Sequence, residues 1–143
     1  MSRHSHLVTS TEEMKDLGEK VGSKLTAGDV VVLRGELGAG KTTFTQGVGR
    51  ALGIGELTSP TFVISKIYPG AIPLVHVDAY RLMGHELAAF DDLDLETRIP
   101  HSITIIEWGS GFVERLTDSF IEIDITFGGN SEERTVNIMG LDL

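Results

Sequence analysis

The sequence predicts an α/β protein with a mixed, mainly parallel sheet of about six to seven strands flanked by helices. Residues 30–33 form a short, continuous apolar run, typical of a strand that is covered on both faces. A glycine-rich octet at residues 35–42 follows directly, and apolar residues then recur at helical spacing. Residues 120–125 and 134–139 alternate between apolar and polar side chains, which predicts strands with one exposed face.

A first helix is predicted before the apolar strand. Ser10 and Glu13 have the spacing of a capping box, in which each side chain bonds a free backbone N–H group at the start of a helix. An apolar stripe then runs at helical spacing from Met14 to Leu25, and Gly28 is expected to end the helix.

The middle of the chain predicts a hairpin and a further strand. Residues 62–68 turn at Pro69-Gly70 into residues 74–78, and the pattern of both segments is that of strands. Weak helical signals at 85–90 and 93–98 lead to the apolar strand 103–108. A hairpin beside parallel strands makes the sheet mixed.

Composition restricts the class of protein. The 143 residues fit one domain, 1–143, and the absence of cysteine excludes disulfides and thiolate chemistry. The formal charge of -9 argues against direct binding of DNA or RNA, so we expect any RNA to be held by a partner. No apolar run approaches the ~20 residues of a membrane helix, and we expect a soluble, cytoplasmic protein without membrane contact.

The octet fits the phosphate-loop pattern G-x-x-x-x-G-K-[ST] at every specified position, and it predicts a P-loop NTPase-like fold. Glycines let successive backbone N–H groups point at phosphate oxygens, and the following helix adds its positive N-terminal end. Lys41 can reach the β- and γ-phosphates, the Thr42 hydroxyl can ligate magnesium, and Thr43 can donate to the α-phosphate. The predicted phosphate-binding residues are Glu36, Leu37, Gly38, Ala39, Gly40, Lys41, Thr42 and Thr43.

Two acids end apolar strands, Asp78 after residues 74–77 and Glu107 after residues 103–106. Open α/β sheets bind ligands at the carboxyl ends of their strands, so at least one acid is expected at the metal. The alternative for each is a solvated turn residue. His76 lies two residues before Asp78, where it either orients that carboxylate or is hydrogen-bonded inside the fold.

Other positions remain open between a functional and a structural interpretation. Arg81 contacts either phosphate or partner, or forms a surface ion pair, and Trp108 is expected to be a core or interface anchor. Residues 58–62 are either a segment that senses the γ-phosphate or a plain turn. No Asn-Lys-x-Asp string for guanine occurs, which favours ATP over GTP.

Together, these motifs resemble the bacterial TsaE (YjeE) ATPases, which take part in forming threonylcarbamoyladenosine in tRNA. The resemblance covers nearly the whole chain and rests on the octet, Ser-Pro-Thr-Phe at 59–62, His-Val-Asp-Ala-Tyr-Arg at 76–81 and Ile-Glu-Trp at 106–108. It implies ATP and Mg²⁺ as cofactors and slow hydrolysis that supports a tRNA-modifying complex. Its partners would be TsaD and TsaB, with tRNA reached indirectly through them.

The resemblance also implies roles for particular residues. Lys41, Asp78 and Glu107 would be catalytic, with Thr42 and Glu107 as magnesium ligands and Asp78 supporting the water or the metal. Thr11, at the start of the first helix, and Arg134, in the last strand, would lie around the nucleotide. The chain departs from the family pattern at Met14, where threonine is usual, and at Gly109, where proline usually follows the tryptophan.

Two other functions fit the same loop. A small-molecule kinase would need a lid and several arginines around the acceptor, and no arginine-rich segment of that kind is evident among the 12 Lys and Arg residues. A nucleotide-dependent binding module, in which hydrolysis is incidental, is the second alternative.

Overall fold

The protein forms a seven-stranded mixed sheet, seen in a computed structural model that describes residues 3–36, 38–55, 65–78, 95–107, 113–115 and 117–143. The strand order is β1-β7-β6-β2-β5-β4-β3, and β6, β2, β5 and β4 run parallel at its centre. The outer pairs β1–β7, β7–β6 and β3–β4 are antiparallel. The strands are β1 (Arg3–Val8), β2 (Val30–Gly35), β3 (Ser65–Tyr68), β4 (Leu74–Asp78), β5 (Ile103–Glu107), β6 (Ile121–Phe127) and β7 (Arg134–Met139).

The fold prediction is confirmed. All four β2 residues from Val30 to Leu33 are buried, as expected for a strand covered on both faces. The predicted hairpin is β3–β4, although residues 62–64 lie outside the described part of the chain. Strand β1, which closes one edge of the sheet against β7, was not predicted from the sequence.

Two long helices cover one face of the sheet, α1 (Thr11–Gly22) and α2 (Lys41–Ala51). The predicted N-cap of α1 is confirmed, because the Ser10 hydroxyl accepts a hydrogen bond from the Glu13 N–H at 3.1 Å. The predicted end at Gly28 is wrong, since α1 ends at Gly22. Leu25 is still buried, but in the turn after the helix, so the apolar stripe continued beyond the helix itself.

The core has one apolar layer on each face of the sheet. The larger layer joins Leu17, Val21, Phe44 and Val48 of the helices to the sheet. The smaller layer lies on the opposite face, and among the described residues Ile99 and Val113 of two short 3₁₀ turns belong to it. A four-residue helix, α3 (Leu95–Arg98), precedes the first of these turns. None of the helices in the described ranges is long and apolar enough to span a bilayer.

Candidate functional site

The glycine-rich loop connects the central strand β2 to helix α2. Gly38 and Gly40 have φ angles of +83° and +112°, a backbone conformation that side chains with a Cβ rarely adopt. Gly40 is the N-cap of α2 and makes no side-chain capping bond. The N–H groups of the first helical turn are therefore available to an anion, as a phosphate site requires.

Lys41 is the first residue of α2, and its side chain folds back toward the end of β2. Its ammonium group donates a hydrogen bond to the Gly35 carbonyl at 2.8 Å and lies 3.7 Å from Oε1 of Glu107. The residue is only 8% exposed. A buried cation thus stands beside the loop, within reach of a carboxylate.

The two predicted acids lie side by side at the carboxyl edge of the sheet. Asp78 ends β4 and Glu107 ends β5, and the two are paired in the parallel register. Glu107 is also paired with Leu33 of β2, two residues before the loop. Strand register therefore brings one carboxylate next to Lys41 and the second next to the first.

Glu107 has a partner that sequence reasoning did not assign to it. His76 Nε2 lies 2.5 Å from Glu107 Oε2, and both side chains are buried. Of the two readings that the sequence left open for His76, the structure supports a histidine bonded inside the fold rather than one bonded to Asp78. Only one ring nitrogen is used, because Nδ1 is buried and has no hydrogen-bond partner among the described residues.

Two oxygen-bearing side chains at the loop are of the type that a magnesium ion prefers. Thr42 is the second residue of α2 and half-buried, so its hydroxyl and the Glu107 carboxylate are hard oxygen donors beside the same loop. Within the described ranges no group of three or more His, Asp or Glu side chains is arranged to hold a metal. A magnesium ion bound to one or two protein oxygens takes its other ligands from water and phosphate.

An open cavity of about 200 Å³ adjoins the loop on the side of α1. It lies between the start of α1, the start of α2 and the turn that joins β6 to β7. Thr11 and Arg134, both expected near the nucleotide, line it together with Thr43 of the loop helix. The full lining is Ser10, Thr11, Met14, Gly38, Ala39, Gly40, Thr43, Ser131, Glu132 and Arg134.

Arg134 braces the loop from β7. Its Nε atom donates to the Ala39 carbonyl at 3.1 Å, and Nη2 lies 3.5 Å from the Gly38 carbonyl. The guanidinium group lies over the Phe127 ring, 4.6 Å from its centroid. Arg134 therefore holds the loop through the carbonyl oxygens of Gly38 and Ala39.

Ser131 and Glu132, which lie between β6 and β7 and line the cavity, were not predicted from the sequence. The contact of Met14 with the loop was also not predicted: Met14 lines the cavity, and its Cε atom lies 3.1 Å from the position that a Cβ on Gly40 would take. Its spacing of three residues from Thr11 could have indicated a shared helix face. Several predicted positions lie outside the described residues, namely Leu37, Arg81, Trp108 and residues 58–62.

A glycine loop between a central parallel strand and a helix, with a lysine opening the helix and acids ending the adjacent strands, defines a P-loop NTPase-like α/β protein. A family model described as "Threonylcarbamoyl adenosine biosynthesis protein TsaE" matches residues 8–136. The chain belongs to the TsaE family.

Several known proteins are similar to this chain over most of its length. The tRNA threonylcarbamoyladenosine biosynthesis protein TsaE of Streptomyces coelicolor is 48% identical over 135 residues, which cover 90% of each chain. The protein of the same name from Bacillus subtilis is 37% identical and covers 85% of this chain and 76% of the relative. The crystal structure of Bacillus subtilis YdiB superposes with a TM-score of 0.78 at 33% identity, covering 96% of this chain and 84% of YdiB.

Proposed function

We propose that this protein binds Mg-ATP at the loop around Lys41 and hydrolyses it slowly, in support of the proteins that form threonylcarbamoyladenosine in tRNA. The observation that carries this proposal is the juxtaposition of Lys41 with Glu107 and Asp78 beside an uncapped helix N-terminus. The buried cation of Lys41 and the N–H groups at the start of α2 would bind the phosphates, and the two acids would serve the metal and the water.

Lys41 has to change partners when phosphate arrives. In the structure its ammonium group donates to the Gly35 carbonyl and lies 3.7 Å from Oε1 of Glu107. A phosphate oxygen is a stronger partner than a neutral carbonyl because the hydrogen bond is charge-assisted on both sides. Lys41 is therefore expected to move toward the loop opening, which frees Oε1 of Glu107.

Thr42 and Glu107 would hold the magnesium ion, which neutralises charge on the phosphates when bound. Asp78 lies one strand further along the same edge, in register with Glu107. We assign Asp78 to holding the attacking water or a water ligand of the metal. This division gives each acid a separate task.

Slow turnover follows from the arginines. Arg134 is engaged with loop carbonyls, Arg34 pairs with Asp124 at 2.7 Å, and Arg50 lies among acids of α1. These three arginines are therefore engaged within the fold, and we propose that none of them stabilises the charge that develops on a transferred phosphoryl group. We therefore propose that partners of the TsaD and TsaB type change the rate, and that tRNA is reached through them.

Nucleotide binding by isothermal titration calorimetry tests the site. Lys41→Ala should reduce ATP affinity by at least about tenfold, because the phosphates lose their buried cation. Lys24→Ala, which removes an exposed lysine from the turn after α1, is the matched control and should bind like the wild type. Equal affinity in Lys41→Ala and the wild type would refute the assignment of the loop.

Magnesium dependence tests the role of Glu107. Glu107→Ala should shift the magnesium requirement of ATP turnover to higher concentration, while Glu114→Ala removes an exposed acid and should leave it unchanged. Turnover is then measured with and without TsaD- and TsaB-type proteins. Fast turnover by the isolated protein, unaffected by these partners, would contradict the proposed support role.

A further inference from the structure

We infer that His76 is a positioning residue for Glu107, holding one carboxylate oxygen so that the other faces Lys41 and the phosphate loop. The expected effect of His76 on magnesium binding rests on the proposed function. The orientation of the carboxylate does not, because it follows from contacts within the protein.

The contacts give the two oxygens of Glu107 different partners. Oε2 lies against His76 Nε2, whereas Oε1 lies 3.7 Å from the ammonium group of Lys41. His76 is fully buried and Glu107 is 6% exposed, so water does not compete for the first contact. The histidine thus acts on the side of the carboxylate that faces away from Lys41.

Strand register explains how His76 reaches Glu107. His76 precedes Asp78 by two residues on β4, and Asp78 is paired with Glu107 of β5. His76 and Glu107 therefore lie on one face of the sheet, with the ring one step behind the carboxylate. The histidine therefore contacts Oε2 of Glu107 from within the sheet face, while Oε1 is directed toward Lys41 at the loop.

The hydrogen-bond pattern assigns the tautomer of His76. A carboxylate offers only acceptors, so the hydrogen in this contact lies on Nε2. Nδ1 is buried with no partner among the described residues, and an N–H group there would be a buried donor without an acceptor. In this contact the ring therefore acts as a donor through Nε2–H, aimed at Glu107.

A fixed donor matters because the terminal torsion of glutamate is broad, and an unheld carboxylate can rotate. Partners that orient metal ligands in this way contribute about 10- to 100-fold to metal affinity or activity. His76 thus presents one oxygen of Glu107 to the loop without contacting the ligand itself.

The experiment combines a spectroscopic readout with binding. ¹⁵N imidazole NMR of the nucleotide-free protein reports the tautomer of His76, whose signals are identified by their loss in His76→Gln. The magnesium dependence of ATP binding is then measured by calorimetry for the wild type, His76→Leu and His76→Gln. The control is His101→Gln, which alters an exposed histidine of a 3₁₀ turn.

We expect the Nε2–H tautomer in the wild type. His76→Leu should raise the magnesium concentration for half-maximal effect by about 10- to 100-fold and leave ATP affinity without magnesium unchanged. His76→Gln should recover most of the loss, because its side-chain amide can supply an N–H donor.

Several results would overturn the inference. An Nδ1–H tautomer would do so, and so would an unchanged magnesium dependence in His76→Leu. An equal loss of ATP affinity with and without magnesium would show a merely structural role. If the wild type bound no ATP at all, the proposed function would fail, while the tautomer alone would still decide whether His76 holds Glu107.

Discussion

His6 has a pKa below its ordinary value because it is partly buried in the fold, with Lys20 of α1 and His4 of β1 adding positive charge nearby. The folded protein therefore favours the neutral ring. The unfolded chain takes up a proton once the pH falls below about 6.5, so the stability of the fold decreases as the pH falls from there through the lowered value.

This predicts that His6→Gln loses less unfolding free energy than the wild type between about pH 7 and pH 5. Urea unfolding followed at several pH values measures the difference. His101→Gln, at an exposed position, should retain the slope of the wild type. A slope in His6→Gln as steep as in the wild type would assign the acid sensitivity to other groups.

The sequence predicted the residues of the site better than their contacts. Lys41 belongs to a motif with fixed spacing, and Asp78 and Glu107 each end an apolar strand, so local pattern sufficed for their placement. The contact between His76 and Glu107 joins residues 31 positions apart. It depends on which strands are neighbours and in what register, and neither is encoded in a local pattern.

At the scale of elements, α1 and α2 touch through their backbones. A Cβ on Gly47 would lie 2.1 Å from the Lys15 carbonyl oxygen, and a Cβ on Gly18 would lie 2.1 Å from that of Phe44. In the structure Gly47 is what allows α1, whose first turn lines the cavity, to lie against the helix that begins at Lys41.

Gly47→Ala should therefore destabilise the protein, by about 2 kcal/mol, because a rigid backbone atom occupies the space of the new methyl group. This value is the net loss: the clash costs about 3 kcal/mol, and the ~1 kcal/mol that alanine gains over glycine within a helix offsets part of it. Chemical denaturation measures the change, with Gly55→Ala as the control, since no described residue lies within 4 Å of a Cβ there. A stability equal to or above that of the wild type would show that the two helices can separate at little cost.

Strand β1 and the end of α1 show why element boundaries were harder to predict. Arg3–Val8 places two histidines on the inner face of an edge strand, so its alternation lacks the apolar residues that mark a strand. Leu25 continues the apolar stripe of α1, although the helix has already ended at Gly22. The half-burial of His4 and His6 and the burial of Leu25 result from tertiary packing. A helical or strand period in the sequence does not represent such packing.

On the scale of the whole molecule, the sheet order places the site on strands that are far apart in sequence. The loop follows β2, which lies between β5 and β6. On one side β5 carries Glu107, and on the other side β6 pairs with β7, which carries Arg134. Glu107 and the cavity residue Arg134 thus reach the loop from opposite sides. A ligand held by the loop would contact both halves of the sheet.

The net charge makes the last prediction, that the isolated protein does not bind tRNA appreciably at physiological salt. The chain carries 21 acidic residues against 12 Lys and Arg, and Arg34 and Arg50 already lie against acids. Binding to a phosphate backbone needs free cations that release counterions, and even non-specific complexes with Kd values of about 10⁻⁴–10⁻⁶ M depend on them. Fluorescence anisotropy with labelled tRNA should show no binding up to roughly 10 μM protein, with or without ATP.

Adding TsaD- and TsaB-type proteins should create a tRNA complex that this protein can join. Micromolar binding by the isolated protein, weakening steeply with salt, would instead place a direct RNA-binding surface on the molecule and remove the reason for assigning tRNA contact to its partners.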